Sequence, residues 1–331
     1  FSAQTHLQSP FSLQFFQAAE RMERTLGVGV TSVREAGGSD AGVREARDRG
    51  LIAGPRMQIS LTMLSQTGGH GDSWEICGGF MPGMMDAHPG RPGAIVDGPD
   101  EMRRKVRELI RADADVIKVA TTGGVMSSRS RPQHAQFRPD ELDVLVAEAS
   151  AAERFVMAHA QGTRGIRNAV NAGIRSIEHG IYLDDETIEM MLDAGTWLVP
   201  TLIAPMGVLE AVERGIEIAD QVIAKATEVI EIHRDSVSRA MAAGVKSAMG
   251  TDSGVTPHGQ NLRELAEMAK LGMSGDQVLR SSTTVAADLL GVSDDLGTIQ
   301  IGKLADLVIW DGSDLDVTDM RSRIHTVIQD G

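Results

Sequence analysis

The sequence predicts an α/β fold, a TIM-type (β/α)8 barrel carrying a small β-domain. Two observations lead there. Short apolar β-like runs alternate with helical stretches along most of the 331 residues, the pattern of a parallel sheet with crossover helices. Four of those runs end in a residue able to hold a metal, in the order Lys118, His159, His179 and Asp252. A parallel barrel aims the C-terminal ends of its strands at one face.

In chain order, a helical pattern over 12–26 precedes β-like runs at 29–34 and 56–60. Runs at 116–120, 155–158, 175–178, 197–202 and 246–249 follow, with helical patterns at 100–112, 139–152, 184–194 and 218–243 between them. Ala172-Gly173 and Ala243-Gly244 read as helix ends closed by a left-handed glycine just before a strand. These runs supply seven of eight staves, and the absent one is the first, since the chain opens on a polar segment around His6 and enters a helix directly. A barrel short of a strand has two unpaired edges, so the sequence is expected to begin partway into a longer protein. Residues 1–290 are assigned to strands 2–8 of the barrel and 291–331 to part of the small β-domain. The β-rich run 296–311 supports the second assignment, and Gln329-Asp330-Gly331 resembles an interrupted hairpin turn. The stretch 65–99 is rich in Gly, Met and Pro and lacks periodicity. A connection of that length is usually functional, and following a strand it should lie on the active-site face.

Composition narrows the function classes. A net charge of −14 offers no basic excess for nucleic-acid phosphates. With 42% hydrophobic and 24% charged residues the chain has the make-up of a globular enzyme. No apolar run reaches the roughly 20 residues of a membrane helix. The single cysteine, Cys77, excludes an intramolecular disulfide and suits a reducing compartment, so a cytoplasmic location is favoured over a periplasmic one.

Lys118 interrupts Val116-Ile117-x-Val119-Ala120. A lysine inside a barrel must lose hydration or shift its pKa down. Its neutral amine could react with carbon dioxide to give an anionic carbamate that bridges two metals; alternatively the side chain snorkels or pairs with a carboxylate. The following Thr121-Thr122-Gly123-Gly124 should turn sharply. His159 and His179 occupy equivalent positions on consecutive strands, and neutral imidazole is a preferred zinc ligand. Glu178 alternates to the opposite face and is expected to form an ion pair in the outer layer. Asp252, in Met249-Gly250-Thr251-Asp252-Ser253-Gly254, is either a turn former or a metal-contacting proton shuttle. His70, on the long loop, could bind substrate or stabilise an oxyanion. One of Arg129, Arg131 and Arg138 could pair with a substrate carboxylate. The remaining histidines, His233 among them, are read as ordinary, His258 least so.

Taken together, the phrases Ile117-Lys118-Val119-Ala120-Thr121-Thr122-Gly123-Gly124, Ala158-His159-Ala160, Ile177-Glu178-His179-Gly180 and Gly250-Thr251-Asp252-Ser253 resemble the amidohydrolase superfamily. Within it they are most similar to the imidazolonepropionase-like branch of metal-dependent dipeptidases and carboxypeptidases, which includes Xaa-Pro dipeptidase-like and ochratoxin-degrading members. Gly302-Lys303-Leu304-Ala305-Asp306-Leu307-Val308 is also typical of the superfamily. The resemblance implies two divalent ions, zinc being expected, bridged by N6-carboxylated Lys118 and a hydroxide nucleophile. His159 and His179 would hold one ion and Asp252 the other, Asp252 also shuttling the proton. It implies that Tyr182 helps bind substrate, that the substrate is a dipeptide or N-acyl amino acid (ochratoxin-type N-acyl phenylalanine as a special case), and that the protein is a homo-oligomer. The family's His-x-His pair on the first strand has no counterpart here. Two alternatives stay open: cyclic-amide hydrolysis of imidazolonepropionase type, and a catalytically inactive scaffold on this fold.

Overall fold

A computed structural model describes residues 9–74, 77, 79, 86–127 and 129–331; His6 lies outside them. Helix α1 (Leu13–Gly27) leads into strand β1 (Ser32–Glu35), helix α2 (Ala41–Asp48) and strands β2 (Arg56–Ile59) and β3 (Met63–Leu64). Strand–helix units then repeat: α3 (Pro99–Arg111), β4 (Val116–Ala120), α4 (Pro139–Ala151), β5 (Phe155–Ala160), α5 (Thr163–Asn171), β6 (Ser176–His179), α6 (Asp185–Ala194) and β7 (Trp197–Val199). Five helices follow, α7 (Ile203–Glu213), α8 (Asp220–Ala243), α9 (Arg263–Lys270), α10 (Gly275–Ser282) and α11 (Thr284–Leu290). The described chain closes on β8 (Leu307–Trp310), α12 (Met320–Arg323) and β9 (Ile324–Ile328).

β1 pairs in parallel with β2, and β3 to β7 form a parallel sheet in sequence order. β2 and β3 are two halves of one stave. The break falls at Leu61, whose φ is +68°, and the Asp115 N–H reaches back to the Ile59 carbonyl at 2.9 Å, keeping β2 beside β4. The expected strand at 246–249 contributes a parallel bridge, Leu198 to Ser247. The arc therefore contains the seven staves the sequence suggests, in barrel order. β8 and β9 form an antiparallel pair with an irregularity at Ile309/Trp310, consistent with β-structure near the C-terminus. Ile299 and Ile301 in the run before it are exposed.

Alternation along the strands sorts side chains into two layers. Ile117, Val119, Val156, Ala158, Ile177 and Leu198 are buried in the main core, where they meet Leu109 of α3, Leu145 of α4, Ile166 of α5 and Met191 of α6. The other face of the same strands carries Lys118, paired in register with Met157, and His159, paired with Glu178. Burying apolar residues on one side thus puts the chemically versatile ones inside the barrel.

Helix ends follow local chemistry. Asp184 caps α6 by accepting from the Thr187 N–H at 2.9 Å, and Gly195 closes it at φ +66°. The start of α7 is served from another helix. Glu264 of α9, fully buried, accepts from the N–H groups of Leu202 (2.8 Å) and Ile203 (3.0 Å). Those N–H groups would otherwise lack partners at a buried helix terminus. Glu264→Gln is expected to destabilise the protein by about 1–3 kcal/mol, because one amide face presents a second donor to a buried N–H. Denaturant unfolding at neutral pH checks this, and a change under about 0.5 kcal/mol would show that the cap is dispensable.

Candidate active site

The strand ends deliver their side chains to one cavity, lined by His70, His159, Gln161, His179, His233 and Asp252, with Val125, Met126, Ile181 and Val208 among its apolar walls. Lys118 lies below it, buried on β4. The charges of Glu178 and Asp252 act on its ammonium, but burial is the larger influence and holds its pKa below the usual lysine range. The lysine is therefore inside the barrel rather than snorkelling to water.

The two imidazoles meet edge to face with centroids 4.8 Å apart. By strict alternation they should not, because His179 pairs in register with Ala160 while His159 pairs with Glu178. The backbone of His179 supplies the reason. Its φ of +77° breaks the extended pattern at the end of β6 and brings the ring to the cavity side. The same break corrects the expectation for Glu178. That carboxylate is not in the outer layer: it points into the barrel, accepts from Ser176 Oγ at 2.7 Å and pairs with Arg34 of the non-neighbouring strand β1 at 2.8 Å.

Each imidazole is oriented through one nitrogen. His159 Nε2 lies 3.0 Å from the Gly123 carbonyl oxygen, which can only accept, so Nε2 carries the hydrogen and Nδ1 the lone pair. His179 Nδ1 lies 2.6 Å from Thr201 Oγ1, leaving Nε2 for another partner. Thr201 itself has φ +53°. Burial, more than any neighbouring charge, holds both rings well below the usual histidine range, so they are neutral near pH 7. Neutral imidazoles with one nitrogen fixed and one available are what a zinc-type ion binds. The chemistry of the donors fits, but their number does not complete a cage. Among the described residues no three His, Cys, Asp or Glu side chains stand close enough together to chelate an ion.

His70 stacks on His159, ring centroids 4.1 Å apart at 17°. Its Nδ1 is buried without a hydrogen-bond partner, and burial holds its pKa down to about 4. Asp252 has φ +49° and a carboxyl whose pKa burial raises, against the opposing influence of Lys118. Tyr182 is placed differently: its hydroxyl accepts from Gln133 Nε2 (2.8 Å) and donates to Glu228 Oε1 (3.1 Å), while its neighbour Ile181 lines the cavity. Arg129 lies over the Trp74 ring, 4.9 Å from its centroid. His258 contacts Thr25 at 3.2 Å, away from these groups.

One cavity residue escaped the sequence reading. His233 of α8 is 1% exposed and donates from Nε2 to the His179 carbonyl at 2.8 Å. Its signal was present: it shares the buried face of α8 with Val222, Ala226, Val229 and Val237, and a histidine in an apolar stripe needs a polar partner.

The sequence model of the amidohydrolase family matches residues 3–331. The chain belongs to the amidohydrolase family. Among curated amidohydrolase relatives, ochratoxinase of Aspergillus niger is 36% identical over 301 residues, covering 87% of this chain. The chain spans 61% of that relative's length. Among solved amidohydrolase structures, a Xaa-Pro dipeptidase with methionine bound in its active site superposes with a TM-score of 0.87 at 34% identity, covering 98% of this chain and 80% of the other. A prolidase complexed with N-methylphosphonate-L-proline gives a TM-score of 0.90 at 34% identity, covering 100% of this chain and 82% of the other. Similarity at this level over nearly the whole chain makes the arc of staves part of a TIM-type barrel.

Proposed function

We propose that this amidohydrolase hydrolyses the amide bond of a dipeptide or N-acyl amino acid with the help of divalent metal. The observation that carries the reading is the convergence, on one cavity, of two neutral imidazoles and a buried carboxyl above a buried lysine. His159 through Nδ1 and His179 through Nε2 would hold one cation. Lys118, as its N6-carboxylate, and Asp252 would hold a second cation. When bound, such ions, zinc being the expected choice, supply Lewis-acid polarisation of the scissile carbonyl and acidify a water.

The protein's own groups do the rest. Asp252 accepts the proton of the attacking water and delivers it to the leaving amine nitrogen, so the cleaved C–N bond yields a carboxylic acid and a free amine. His70, on the cavity wall, would steady the developing oxyanion through the single N–H of its neutral ring. The apolar wall formed by Val125, Met126, Ile181 and Val208 accepts a non-polar side chain. Similarity to an ochratoxinase and to a Xaa-Pro dipeptidase supports, for this chain, substrates that release a free amino acid, an ochratoxin-type N-acyl phenylalanine among them.

The test is a panel of Xaa-Pro dipeptides, N-acyl amino acids and an ochratoxin-type amide, incubated with the full chain and added Zn2+. Release of a free amino acid from at least one is expected. No release across the panel overturns this reading, and a ring-opened acid from a cyclic amide would move the assignment to the imidazolonepropionase type.

A further inference from the structure

Three backbone carbonyls converge on one ammonium above the cavity. Lys225 of α8 donates from Nζ to the carbonyl oxygens of Gly124 (2.9 Å), Ser130 (3.0 Å) and Ser127. An ammonium has three N–H donors and no acceptor, so this cation is spent on the turn after β4 and is not left to bind substrate. Hydrogen bonds from a charged donor are roughly twice as strong as neutral ones. The turn's own internal bonds are weaker by comparison, Gly124 N–H to Ser130 Oγ at 3.3 Å and Ser130 N–H to Ser127 Oγ at 3.1 Å.

The clamped turn touches the site at two adjoining residues. The Gly123 carbonyl accepts the Nε2 hydrogen of His159 at 3.0 Å. Gly124 lies against His70, so that a Cβ there would overlap the His70 ring, and His70 in turn stacks on His159. Gly123 also tolerates no side chain, since a Cβ would overlap the Arg131 carbonyl oxygen. The two peptides are therefore closely packed: Thr122 Oγ1 donates to the Gly123 carbonyl at 2.7 Å, and Lys225 grips the carbonyl next to it.

We propose that Lys225 is a positioning residue: by binding the carbonyls of Gly124, Ser127 and Ser130 it fixes the adjoining Gly123 carbonyl, and through it the tautomer and orientation of His159. The functional meaning of this inference rests on the amide-hydrolase reading. Its physical content, which nitrogen of His159 carries the hydrogen, does not. An outer partner that orients a histidine in this way changes metal affinity or activity by roughly 10–100-fold when removed.

The experiment compares the full-length wild type with Lys225→Met, Lys225→Gln and Lys225→Arg, each labelled with 15N-histidine and freed of metal by chelation, His159→Gln serving to assign the signal. The wild type is expected to show His159 protonated at Nε2 with a lone pair at Nδ1. Arginine, which can still donate to the carbonyls, should keep that pattern. Methionine and glutamine should give averaged tautomers, a Zn2+ affinity lower by roughly 10-fold, and a lower kcat that arginine restores. A folded Met or Gln variant with an unchanged His159 signal and Zn2+ affinity overturns the proposal. So does a wild-type His159 protonated at Nδ1, whatever the fate of the variants. If the tautomer depends on Lys225 while the wild type hydrolyses nothing in the panel, the clamp stands and the hydrolase reading falls.

Discussion

Asp252→Asn should lower kcat on whichever amide the panel identifies by about 10²–10⁴-fold, the range general acid–base groups contribute, with KM nearly unchanged. Asparagine keeps the size and one oxygen of the carboxyl but cannot take or release a proton. It is also well suited to the backbone. Asp252 sits at φ +49°, a region in which Asn and Asp are the least strained residues after glycine. Asp252→Ala would add a backbone penalty of about 1–2 kcal/mol and confuse loss of chemistry with loss of folding. Steady-state kinetics with the wild type in parallel, and thermal unfolding of both, separate the two effects. Equal kcat in the Asn variant would end the proton-shuttle role, since no other carboxyl lines the cavity among the described residues.

How much of this was legible in the sequence follows from which physical rule each feature obeys. The staves and most helices obey burial periodicity, so Val116–Ala120 and the helix ending at Ala243 emerge within a residue or two of their observed bounds. Lys118, His159, His179 and Asp252 stood out together because each lies within or at the end of an apolar run. Alternation misled at Glu178 because it assumes extended backbone throughout. One left-handed residue, His179 at φ +77°, lets two consecutive side chains face the same interior, and nothing in Ile177-Glu178-His179-Gly180 announces which residue adopts it. Met63–Leu64 was missed as part of the second stave for the same reason, the left-handed Leu61 interrupting the run. His233 announced its need of a polar partner, but which partner it takes was out of reach for another reason, as it was for Lys225 and Glu264. Their partners are backbone groups at 179, at 124, 127 and 130, and at 202–203, tens of residues away in sequence, and backbone groups have no identity a sequence can reveal.

The metal-free protein should lose stability as pH falls below about 6.5, while on the alkaline side two buried carboxyls lower it and the buried Lys118 raises it. The acid arm comes from buried imidazoles. Burial, the largest influence in each case, holds His70 and His233 down to about 4 and takes His159 and His179 well below the usual histidine range. An unfolded histidine titrates near 6.5. As pH falls below that value the unfolded chain takes up protons that the folded chain refuses, so stability is lost from about pH 6.5 downward, until the folded groups themselves titrate. Each such histidine adds about 1.4 kcal/mol per pH unit to the slope. The alkaline arm has the opposite origin. Burial raises Glu35 to about 7 and Glu264 to about 8, against the backbone N–H groups that favour their ionised forms. Their contributions are complete below the unfolded glutamate pKa and are lost as pH rises through those folded values. Between about pH 5 and 6.5 the histidines outnumber the two glutamates, so the net slope there is upward. His233→Gln keeps an N–H donor for the His179 carbonyl and removes one titrating ring. It should flatten the acid arm by about 1.4 kcal/mol per pH unit and leave the alkaline arm alone. Denaturant unfolding of the chelated full chain from pH 4.5 to 9 reads both arms. An acid slope identical in His233→Gln would mean that water reaches this side chain and that the cavity is wetter than its apolar walls imply, whereas above about pH 7 the lowered pKa of buried Lys118 adds an upward slope against the two glutamates.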